Sequence, residues 1–367
     1  MSVFNTHSDS ILRIDLDALA DNYALLSTRF KSGVCSAVVK ADAYGLGMAP
    51  IAKKLKSKGC NHFFVATLDE AIELRSIISD THIYAFNGIS RNQERYFLEN
   101  NIVPVLNSPE QVVRWKAAAD EMGKRLPAIL HFDTGMNRLG LDWYELENVM
   151  KSDASEALDF EYVMSHLACA ETPDHPLNAT QLRLINKARS LFPGSGISFA
   201  SSSALFLDER YHFDLARPGC ALYGINPTPG RLNPMKNVVT LTTKILQVRV
   251  IDTVTTVGYG ATCDLARGST VATIPVGYAD GMFRSLSSIG KVYIAGHIVP
   301  IVGRVSMDLI TLDISNLPES VLHKELDVEL IGENMPLEKV AKAADTNGYE
   351  VLTNLGSRFS REYVGRV

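Results

Sequence analysis

Lys40 is the residue whose type and position point most clearly to chemistry. It closes the apolar run at 36–39 and is followed at once by the segment 41–47, which contains two glycines. A charged amine at the end of a buried strand is costly unless a partner or a reaction uses it. Burial favours the neutral amine, which attacks carbonyl groups, and the glycines would let backbone approach a bound phosphate. Taken alone, a strand-end lysine that extends its ammonium group to water is the commoner explanation.

Other reactive side chains follow further apolar runs in the first half of the chain. Each has an ordinary structural explanation as a hydrogen-bonded core histidine, a helix cap or an ion pair. Their joint occurrence after successive runs favours a single site instead. They are Arg138 at the end of 133–138, His166, the serines at 201–203, and Arg217 followed by Gly219.

This set of residue types suits pyridoxal phosphate. An aldehyde cofactor needs one lysine for a covalent bond, and its phosphate needs hydroxyl groups and backbone N–H donors. Lys40 would supply the amine, while Ser202 and the amides around Gly219 and Cys220 would supply the donors. No group of carboxylates or histidines has metal-ligand spacing, so we predict no metal site.

The elements that position these residues alternate in type. From residue 14 to 235, short apolar runs alternate with stretches of helical spacing. A capping box at Thr67-x-x-Glu70 and the pair Ser108-Pro109 predict two helix starts. Eight runs predict a parallel sheet closed into an α/β fold, the (β/α)8 TIM barrel, whose active site lies at the C-terminal strand ends. A doubly wound open sheet is the alternative, but no G-x-G-x-x-G follows the first strand. The runs lie at 36–41, 63–66, 83–86, 102–106, 128–132, 162–167, 197–200 and 213–217.

The pattern changes after residue 235. β-branched runs punctuated by glycines follow, with one helical pattern near 337–344. We therefore predict two domains, a barrel at 14–235 and a mostly β C-terminal domain at 236–367, joined through the proline-containing segment 227–234. Residues 1–13 are a candidate addition to the second domain.

Composition narrows the classes of function. The chain has 367 residues, 46% of them hydrophobic, and its net charge of −5 gives no reason to expect a nucleic acid or membrane partner. Five scattered cysteines contain no C-x-x-C pair, which favours a reducing compartment over a disulfide framework. Neither a secretory signal nor a run long enough to span a bilayer is visible. The sequence therefore predicts a cytoplasmic protein.

Five segments, in order along both halves of the chain, resemble the alanine racemase family. They lie at 37–45, 133–140, 217–224, 276–281 and 302–308, and the resemblance continues to 358–363. It implies a barrel followed by a β domain, pyridoxal 5'-phosphate as cofactor, and interconversion of L-alanine and D-alanine that supplies D-alanine for peptidoglycan. It also implies a homodimer with shared active sites.

The resemblance assigns roles to individual residues. Lys40 would bind the cofactor and act as one base, with Tyr259 of a second subunit as the other on the opposite face of the reacting carbon. Arg217 would face the pyridine nitrogen, with His166 linking it to Tyr259, and Arg138 would hold the substrate carboxylate. The other implied positions are Tyr44, Ser202, Gly219, Cys220 and Tyr363 at the phosphate, the Met307 amide of a second subunit at the carboxylate, and Tyr278 at the entrance.

Two positions depart from the family pattern. His131 stands where many members carry a carbamylated lysine that pairs with the arginine matching Arg138. We expect His131 or a bound anion to orient Arg138 instead. Ser201 stands where asparagine is usual. Neither departure affects the two bases, although Tyr259, with an ordinary pKa of about 10, needs nearby positive charge or hydrogen bonding to act near neutrality.

Three alternatives use the same architecture. A racemase for serine or a basic amino acid, or one of wider specificity, stays open because the residues that size the pocket come from scattered loops. A non-catalytic barrel that binds the cofactor would usually lack the second domain. A decarboxylase would carry a catalytic cysteine there and a carboxylate at the pyridine nitrogen, whereas this chain has only Cys263 in that half and Arg217 at the nitrogen position.

Overall fold

Eight short strands of the first half form a parallel barrel in the computed structural model, which describes residues 8–321 and 326–365. β1 (Ile11–Asp15) precedes them and lies outside the barrel. β3 to β9 hydrogen-bond in chain order, and β10 pairs with β2, which β3 continues. A parallel bridge between Ser201 and Arg217 joins the ends of β9 and β10, so the ring closes. The predicted (β/α)8 barrel is confirmed. Its eight strands, the first of them in the two pieces β2 and β3, are β2 (Val34–Cys35), β3 (Ala37–Val38), β4 (His62–Val65), β5 (His82–Ala85), β6 (Val103–Leu106), β7 (Leu126–His131), β8 (Leu158–Met164), β9 (Gly196–Ser198) and β10 (Leu215–Ala216).

The barrel strands are apolar on both faces because helices cover the outside and side chains fill the inside. In β6 all four residues are buried, and in β4 Phe63, Phe64 and Val65 are fully buried. Alternate strand positions build a separate interior cluster. Its buried members are Val38, Phe64, Tyr84, Val103, Val105, Ile129, Met164 and Leu215.

The helices between the strands begin where the sequence predicts in two cases. Thr67 and Glu70 form a reciprocal capping box, and Ser108 accepts a hydrogen bond from the Gln111 amide with Pro109 at the first helical position. Among residues 8–321 and 326–365, no helix combines the length and apolar character needed to cross a membrane. The barrel-side helices are α1 (Leu16–Arg29), α2 (Met48–Ser57), α3 (Leu68–Ile77), α4 (Glu94–Glu99), α5 (Pro109–Met122), α6 (Trp143–Lys151), α7 (Ala154–Ala157) and α8 (Pro176–Leu191).

The second half is mostly β, as predicted. A six-stranded sheet has the order β17-β16-β19-β11-β1-β20, beside a three-stranded sheet β12-β15-β18 and a hairpin β13-β14. A second helix, α10, was not predicted from the sequence. The elements are β11 (Val239–Lys244), β12 (Gln247–Val250), β13 (Thr255–Val257), β14 (Cys263–Leu265), β15 (Thr270–Ile274), β16 (Lys291–Ile294), β17 (His297–Pro300), β18 (Ile310–Asp313), β19 (Asp327–Ile331), α9 (Leu337–Ala343), α10 (Gly348–Asn354) and β20 (Ser360–Val364).

β1 joins the start of the chain to the sheet of the second half. It pairs antiparallel with β11 and parallel with β20, placing Leu12 opposite Leu241. Leu12 and Ile14 are fully buried while Arg13 is exposed, which is the alternation of a strand with one covered face. The predicted boundary at residue 14 thus falls inside β1, and residues 1–7 lie outside the described residues. The division at 235 stays a prediction.

We expect Leu12→Ala to lower the free energy of unfolding by about 2–5 kcal/mol, because it leaves a cavity in the sheet that links the two ends of the chain. Urea unfolding followed by circular dichroism measures the loss. Leu25→Ala is the control, since Leu25 is 40% exposed on α1 and should change stability by about 0.5 kcal/mol or less. Equal effects of the two substitutions would contradict the role of β1.

Candidate active site

One cavity of about 640 Å³ lies at the C-terminal ends of the barrel strands. Its lining includes residues that follow β3, β6, β8, β9 and β10, as the barrel rule predicts. The structure therefore brings most of the predicted site residues together, although their individual roles stay predictions. Those in the lining are Lys40, Tyr44, Arg138, His166, Ser202, Arg217, Gly219 and Cys220.

Lys40 begins a left-handed turn directly after the first barrel strand. Residues 41–44 all have positive φ, from 52° to 60°, and none of them is glycine. Such a conformation costs roughly 1–2 kcal/mol per residue, so the surrounding structure must enforce it. The Asp42 side chain accepts a hydrogen bond from the Met48 amide at 2.7 Å, and its carbonyl accepts one from Gly47 at 2.9 Å. The sequence predicted a glycine-rich turn here, and the left-handed geometry comes only from the structure.

Glu70 holds this turn from the neighbouring strand end. Its carboxylate accepts the Ala41 amide at 2.7 Å with one oxygen and the Ala66 amide at 2.7 Å with the other. The same carboxylate closes the capping box with Thr67 at the start of α3. One acidic side chain therefore starts a helix and fixes the backbone next to Lys40.

The Lys40 amine has a lowered pKa. Burial is the main cause, followed by the positive charge of Arg138, while the negative charge of Glu70 opposes them. A lowered pKa increases the neutral fraction of the amine, which is the form that attacks a carbonyl group or accepts a proton. Lys40 therefore has the electrostatic surroundings of a reactive lysine.

Hydrogen-bonding groups of Ser202, Gly219 and Cys220 line the same cavity. Ser202 Oγ accepts from the amides of Gly219 at 3.0 Å and Ala221 at 3.2 Å. A Cβ at residue 219 would overlap the Tyr44 hydroxyl, so only glycine allows this approach. Within the described ranges, the Cys220 amide donates no hydrogen bond. Hydroxyls and a free amide suit a phosphate group, so these residues fit the phosphate of the predicted cofactor.

Arg217 is a buried cation without an acidic partner in residues 8–321 and 326–365. Its guanidinium donates to Ser198 Oγ at 2.6 Å and to the Ser165 carbonyl at 2.7 Å. Burial lowers its pKa to about 9, so it keeps its positive charge at neutral pH. A buried charge that is solvated only by neutral oxygens makes the cavity favourable for anions.

His166 is neutral in this cavity. Its pKa is lowered to about 3 by burial first and then by the charges of Arg217 and Arg138. Gln181 fixes the backbone around it by donating to the His166 carbonyl at 2.9 Å and accepting from the Ala168 amide at 2.9 Å. A neutral imidazole can relay a hydrogen bond but adds no charge to the cavity.

His131 is also neutral, and its tautomer follows from its neighbour. The Asn107 amide nitrogen donates to the carbonyls of Phe86 at 2.8 Å and Val105 at 2.9 Å, so its oxygen is the acceptor. His131 Nδ1 lies 2.7 Å from that oxygen and therefore carries the proton. Burial, followed by the charge of Arg217, lowers the pKa of His131 to about 4. It cannot supply the negative charge of a carbamylated lysine.

Arg138 lies in an exposed part of the cavity lining. Its side chain makes no hydrogen bond or ion pair with another residue in the described part of the chain. His131 Nε2, in the tautomer set by Asn107, is left as an acceptor in the same cavity. The expectation that His131 or an anion orients Arg138 stays a prediction.

Four predicted site residues lie outside the lining of this cavity. Tyr259 is 71% exposed, Met307 53% and Tyr278 43%, and all three belong to the second half of the chain. The Tyr363 hydroxyl donates to the Leu46 carbonyl at 2.9 Å, beside the left-handed turn. The predicted roles of Tyr259 and Met307 need a second copy of the chain, and the roles of all four residues stay predictions.

Asn107, Tyr349 and Glu171 are among the lining residues that were not found from the sequence. Asn107 directly follows β6, so the strand-end rule could have indicated it. Tyr349 on α10 donates to Glu171 after β8 at 2.9 Å, which joins the two halves at the edge of the cavity. No sequence signal pairs these two positions, which are distant along the chain.

The fold and this cavity together define a pyridoxal-phosphate-dependent barrel enzyme. A lysine with a lowered pKa lies in one cavity with hydrogen-bonding groups that fit a phosphate and with a guanidinium that has no acidic partner among the described residues. In the described ranges, no group of three or more histidine, cysteine, aspartate or glutamate side chains could hold a metal ion.

Comparisons with known proteins identify the family. The family model for the alanine racemase N-terminal domain matches residues 14–227, and that for the C-terminal domain matches residues 238–363. A curated alanine racemase of Rhodospirillum rubrum is 46% identical over 97% of this chain and 96% of its own length. A catabolic alanine racemase of Agrobacterium fabrum is 45% identical over 96% of this chain and 92% of its own length.

A solved structure gives the same result. Alanine racemase from Bartonella henselae, with covalently bound pyridoxal phosphate, matches with a TM-score of 0.93 and 41% identity over 97% of this chain and 99% of that chain. The chain therefore belongs to the alanine racemase family, whose members are pyridoxal-phosphate-dependent isomerases. The family and the cofactor predicted from the sequence are confirmed.

We expect His131→Asn to flatten the dependence of stability on pH between about pH 6.5 and pH 4. In this window the unfolded chain protonates a histidine with a pKa of about 6.5, while folded His131, with a pKa of about 4, stays neutral. The histidine therefore makes folded protein less stable as pH falls. Urea unfolding at several pH values measures the slope. The exposed His297→Asn should leave the slope unchanged, and equal slopes in all three proteins would contradict the assignment.

Proposed function

We propose that the chain interconverts L-alanine and D-alanine with two bases, Lys40 and Tyr259, placed on opposite faces of the alanine Cα. The observation that carries this proposal is that the two bases lie in different surroundings within one chain. Lys40 lies inside the cavity with a lowered pKa, whereas Tyr259 is largely exposed in its own chain. A phenol that takes part in the reaction must then come from a second copy.

The roles of the chain's own groups follow from their charges. Bound pyridoxal phosphate supplies an electron sink for the negative charge that develops at the substrate Cα. Lys40 Nζ removes or returns the Cα proton on one face, and Tyr259 Oη does so on the other. His166 relays a hydrogen bond between Tyr259 and the charged Arg217, which lowers the energy of the deprotonated phenol. Arg217 would face the pyridine nitrogen of the cofactor, the position at which a carboxylate would strengthen the electron sink. A positive charge there keeps the sink weaker, which limits side reactions such as transamination.

The substrate carboxylate would meet two donors. Arg138 lies in the cavity lining without an ionic partner in the part of the chain that the structure describes. The Met307 amide likewise makes no hydrogen bond within those residues. A guanidinium and a free N–H suit a carboxylate, and charge-assisted hydrogen bonds of this kind are the strong ones.

The proposal includes a homodimer with shared sites. Four aliphatic side chains on and around β12 are 42–76% exposed, and the four residues of β12 itself are all exposed. Aliphatic residues exposed together in this way are typical of a protein–protein interface. They are Leu246, Val248, Val250 and Val254. Tyr259 follows them in a turn between Gly258 and Gly260, both with positive φ, close enough in sequence to be carried into a partner's cavity.

The proposal extends to the cell. D-Alanine made here would supply peptidoglycan, and the reaction would take place in the cytoplasm. The five cysteines, all within the described residues and all unpaired, support a reducing compartment. The Agrobacterium relative is named a catabolic alanine racemase, and that role belongs to the relative and is not part of this proposal.

We expect Lys40→Ala and Tyr259→Phe each to lower kcat for racemisation by at least about 10²–10⁴-fold, because each removes one of the two groups that exchange the Cα proton. A chiral assay of purified protein with L-alanine and with D-alanine measures both directions. Tyr144→Phe, an equally exposed tyrosine on α6, is the control. Release of carbon dioxide or ammonia by the wild type, or faster turnover of lysine or serine than of alanine, would refute the proposed reaction.

Mixed dimers test the shared site. In a dimer of one Lys40→Ala chain and one Tyr259→Phe chain, one site carries both changes and the other carries neither. Random exchange of equal amounts should therefore recover about a quarter of the wild-type activity from two nearly inactive proteins. If each site were complete within one chain, mixing would recover none, and this is the result that would exclude sharing.

A further inference from the structure

Three separate segments of the second half meet around one arginine. Arg358 Nε lies 2.5 Å from Asp280 Oδ1, and its Nη1 lies 2.7 Å from Asp308 Oδ1. Asp280 ends the short 3-10 helix Tyr278–Asp280, and Asp308 directly follows Met307. One guanidinium therefore joins the segment of Tyr278 to the segment of Met307, the two exposed residues that the family resemblance assigns to the substrate side.

The two segments are also joined through their backbones. The Tyr278 amide donates to the Ser306 carbonyl at 3.0 Å, and the Ala279 amide donates to the Met307 carbonyl at 3.0 Å. Gly277 packs so closely that a Cβ there would overlap the Met307 carbonyl. This leaves the Met307 peptide little freedom to rotate.

Asp280 is the buried anchor of the arrangement. It is 3% exposed, and its second oxygen accepts the Gly277 amide at 2.9 Å. Asp308 and Arg358 are each about half exposed, and the two carboxylates raise the pKa of the Arg358 guanidinium. Arg358 thus reaches from a buried carboxylate to an exposed one, and Asp308 carries the constraint to the residue next to Met307.

A surface loop with an exposed apolar side chain needs no such support for folding alone. Met307 is 53% exposed, yet its carbonyl is fixed by Ala279 while its amide donates no hydrogen bond within the described residues. A free N–H on a rigid peptide is arranged to receive an acceptor from outside. The Ser306 carbonyl belongs to the same peptide unit as the Met307 N–H, and it is fixed by the Tyr278 amide.

We propose that Arg358 is a positioning residue, which holds the Met307 amide in the direction that receives the substrate carboxylate in the site of a second copy. This inference rests on the proposed function, in which that amide is a carboxylate donor. Arg358 touches neither substrate nor cofactor and acts through Asp308 and Asp280. Its effect is on the affinity for carboxylate ligands.

Arginine suits this position better than lysine. Its rigid planar fork offers Nε to one carboxylate and Nη1 to the other in a fixed relative direction. A lysine ammonium group is a point charge on a flexible chain and fixes no angle between two acceptors. Arg358→Lys therefore keeps the charge and loses the geometry.

The test compares kcat, KM and inhibition by propionate, a carboxylate that lacks the amine. For Arg358→Lys and Arg358→Gln we expect KM for L-alanine and the inhibition constant of propionate to rise together by about ten-fold, with kcat changed less than about three-fold. Asp308→Ala should have the same signature, because Asp308 transmits the constraint. An unchanged inhibition constant in these three variants would overturn the proposal.

The control is Arg13→Gln, which removes the exposed ion pair between Arg13 and Glu362. Glu362 lies on β20, the strand that directly follows the Arg358 segment, and this substitution should change neither constant. Titration of apoprotein with pyridoxal phosphate, thermal unfolding and sedimentation should give wild-type values for Arg358→Lys. If this variant has lower cofactor affinity or dissociates, Arg358 acts on folding or assembly and the proposal is wrong.

Met307→Pro separates the two levels of inference, since proline removes the amide proton. If Met307→Pro weakens propionate binding and Arg358→Lys does not, the positioning role of Arg358 is wrong while the carboxylate role of Met307 stands. If Met307→Pro binds the cofactor normally and propionate as tightly as wild type, the carboxylate assignment in the proposed function is itself wrong.

Discussion

The buried guanidinium of Arg217 sets the electrostatics of the whole cavity. Its backbone amide closes the barrel by donating to the Ala200 carbonyl, and its side chain donates to Ser198 and Ser165 at the ends of two neighbouring strands. Burial is the main cause of the lowered pKa values of His166 and His131, and the charge of Arg217, which has only neutral oxygens around it, adds to it and helps to keep both imidazoles neutral. A cavity with fixed positive charge and neutral relays favours anionic ligands, which is what a phosphate-bearing cofactor and a carboxylate substrate require.

The second constraint is the left-handed turn that carries Lys40. Four consecutive non-glycine residues with positive φ are unfavourable in isolation, so they persist only because other parts of the chain hold them. Glu70 does this from the start of α3, and the Arg361 guanidinium donates to the Gly45 carbonyl from β20 of the second half. The position of the reactive amine therefore depends on both halves of the chain.

The second half has a different task. It presents Tyr259, Tyr278 and Met307 on its surface, outside the cavity of its own chain. Exposed side chains are usually mobile, yet the backbone around Met307 is held by Arg358 and by two backbone hydrogen bonds. In the proposed dimer, such rigidity would let one subunit supply donors to its partner without reorganisation when substrate binds.

The sequence by itself determined the elements and the family. Alternating apolar runs gave the barrel strands, Thr67 and Ser108 gave two helix starts, and motifs such as 133–140 gave the cofactor, because local periodicity, capping and strand-end chemistry are encoded in neighbouring residues. Tertiary structure alone decided the left-handed turn at 41–44, the contact between Tyr349 and Glu171, and the bridge made by Arg358. These features depend on hydrogen bonds between residues far apart in the chain, whose pairing leaves no periodic or local signal.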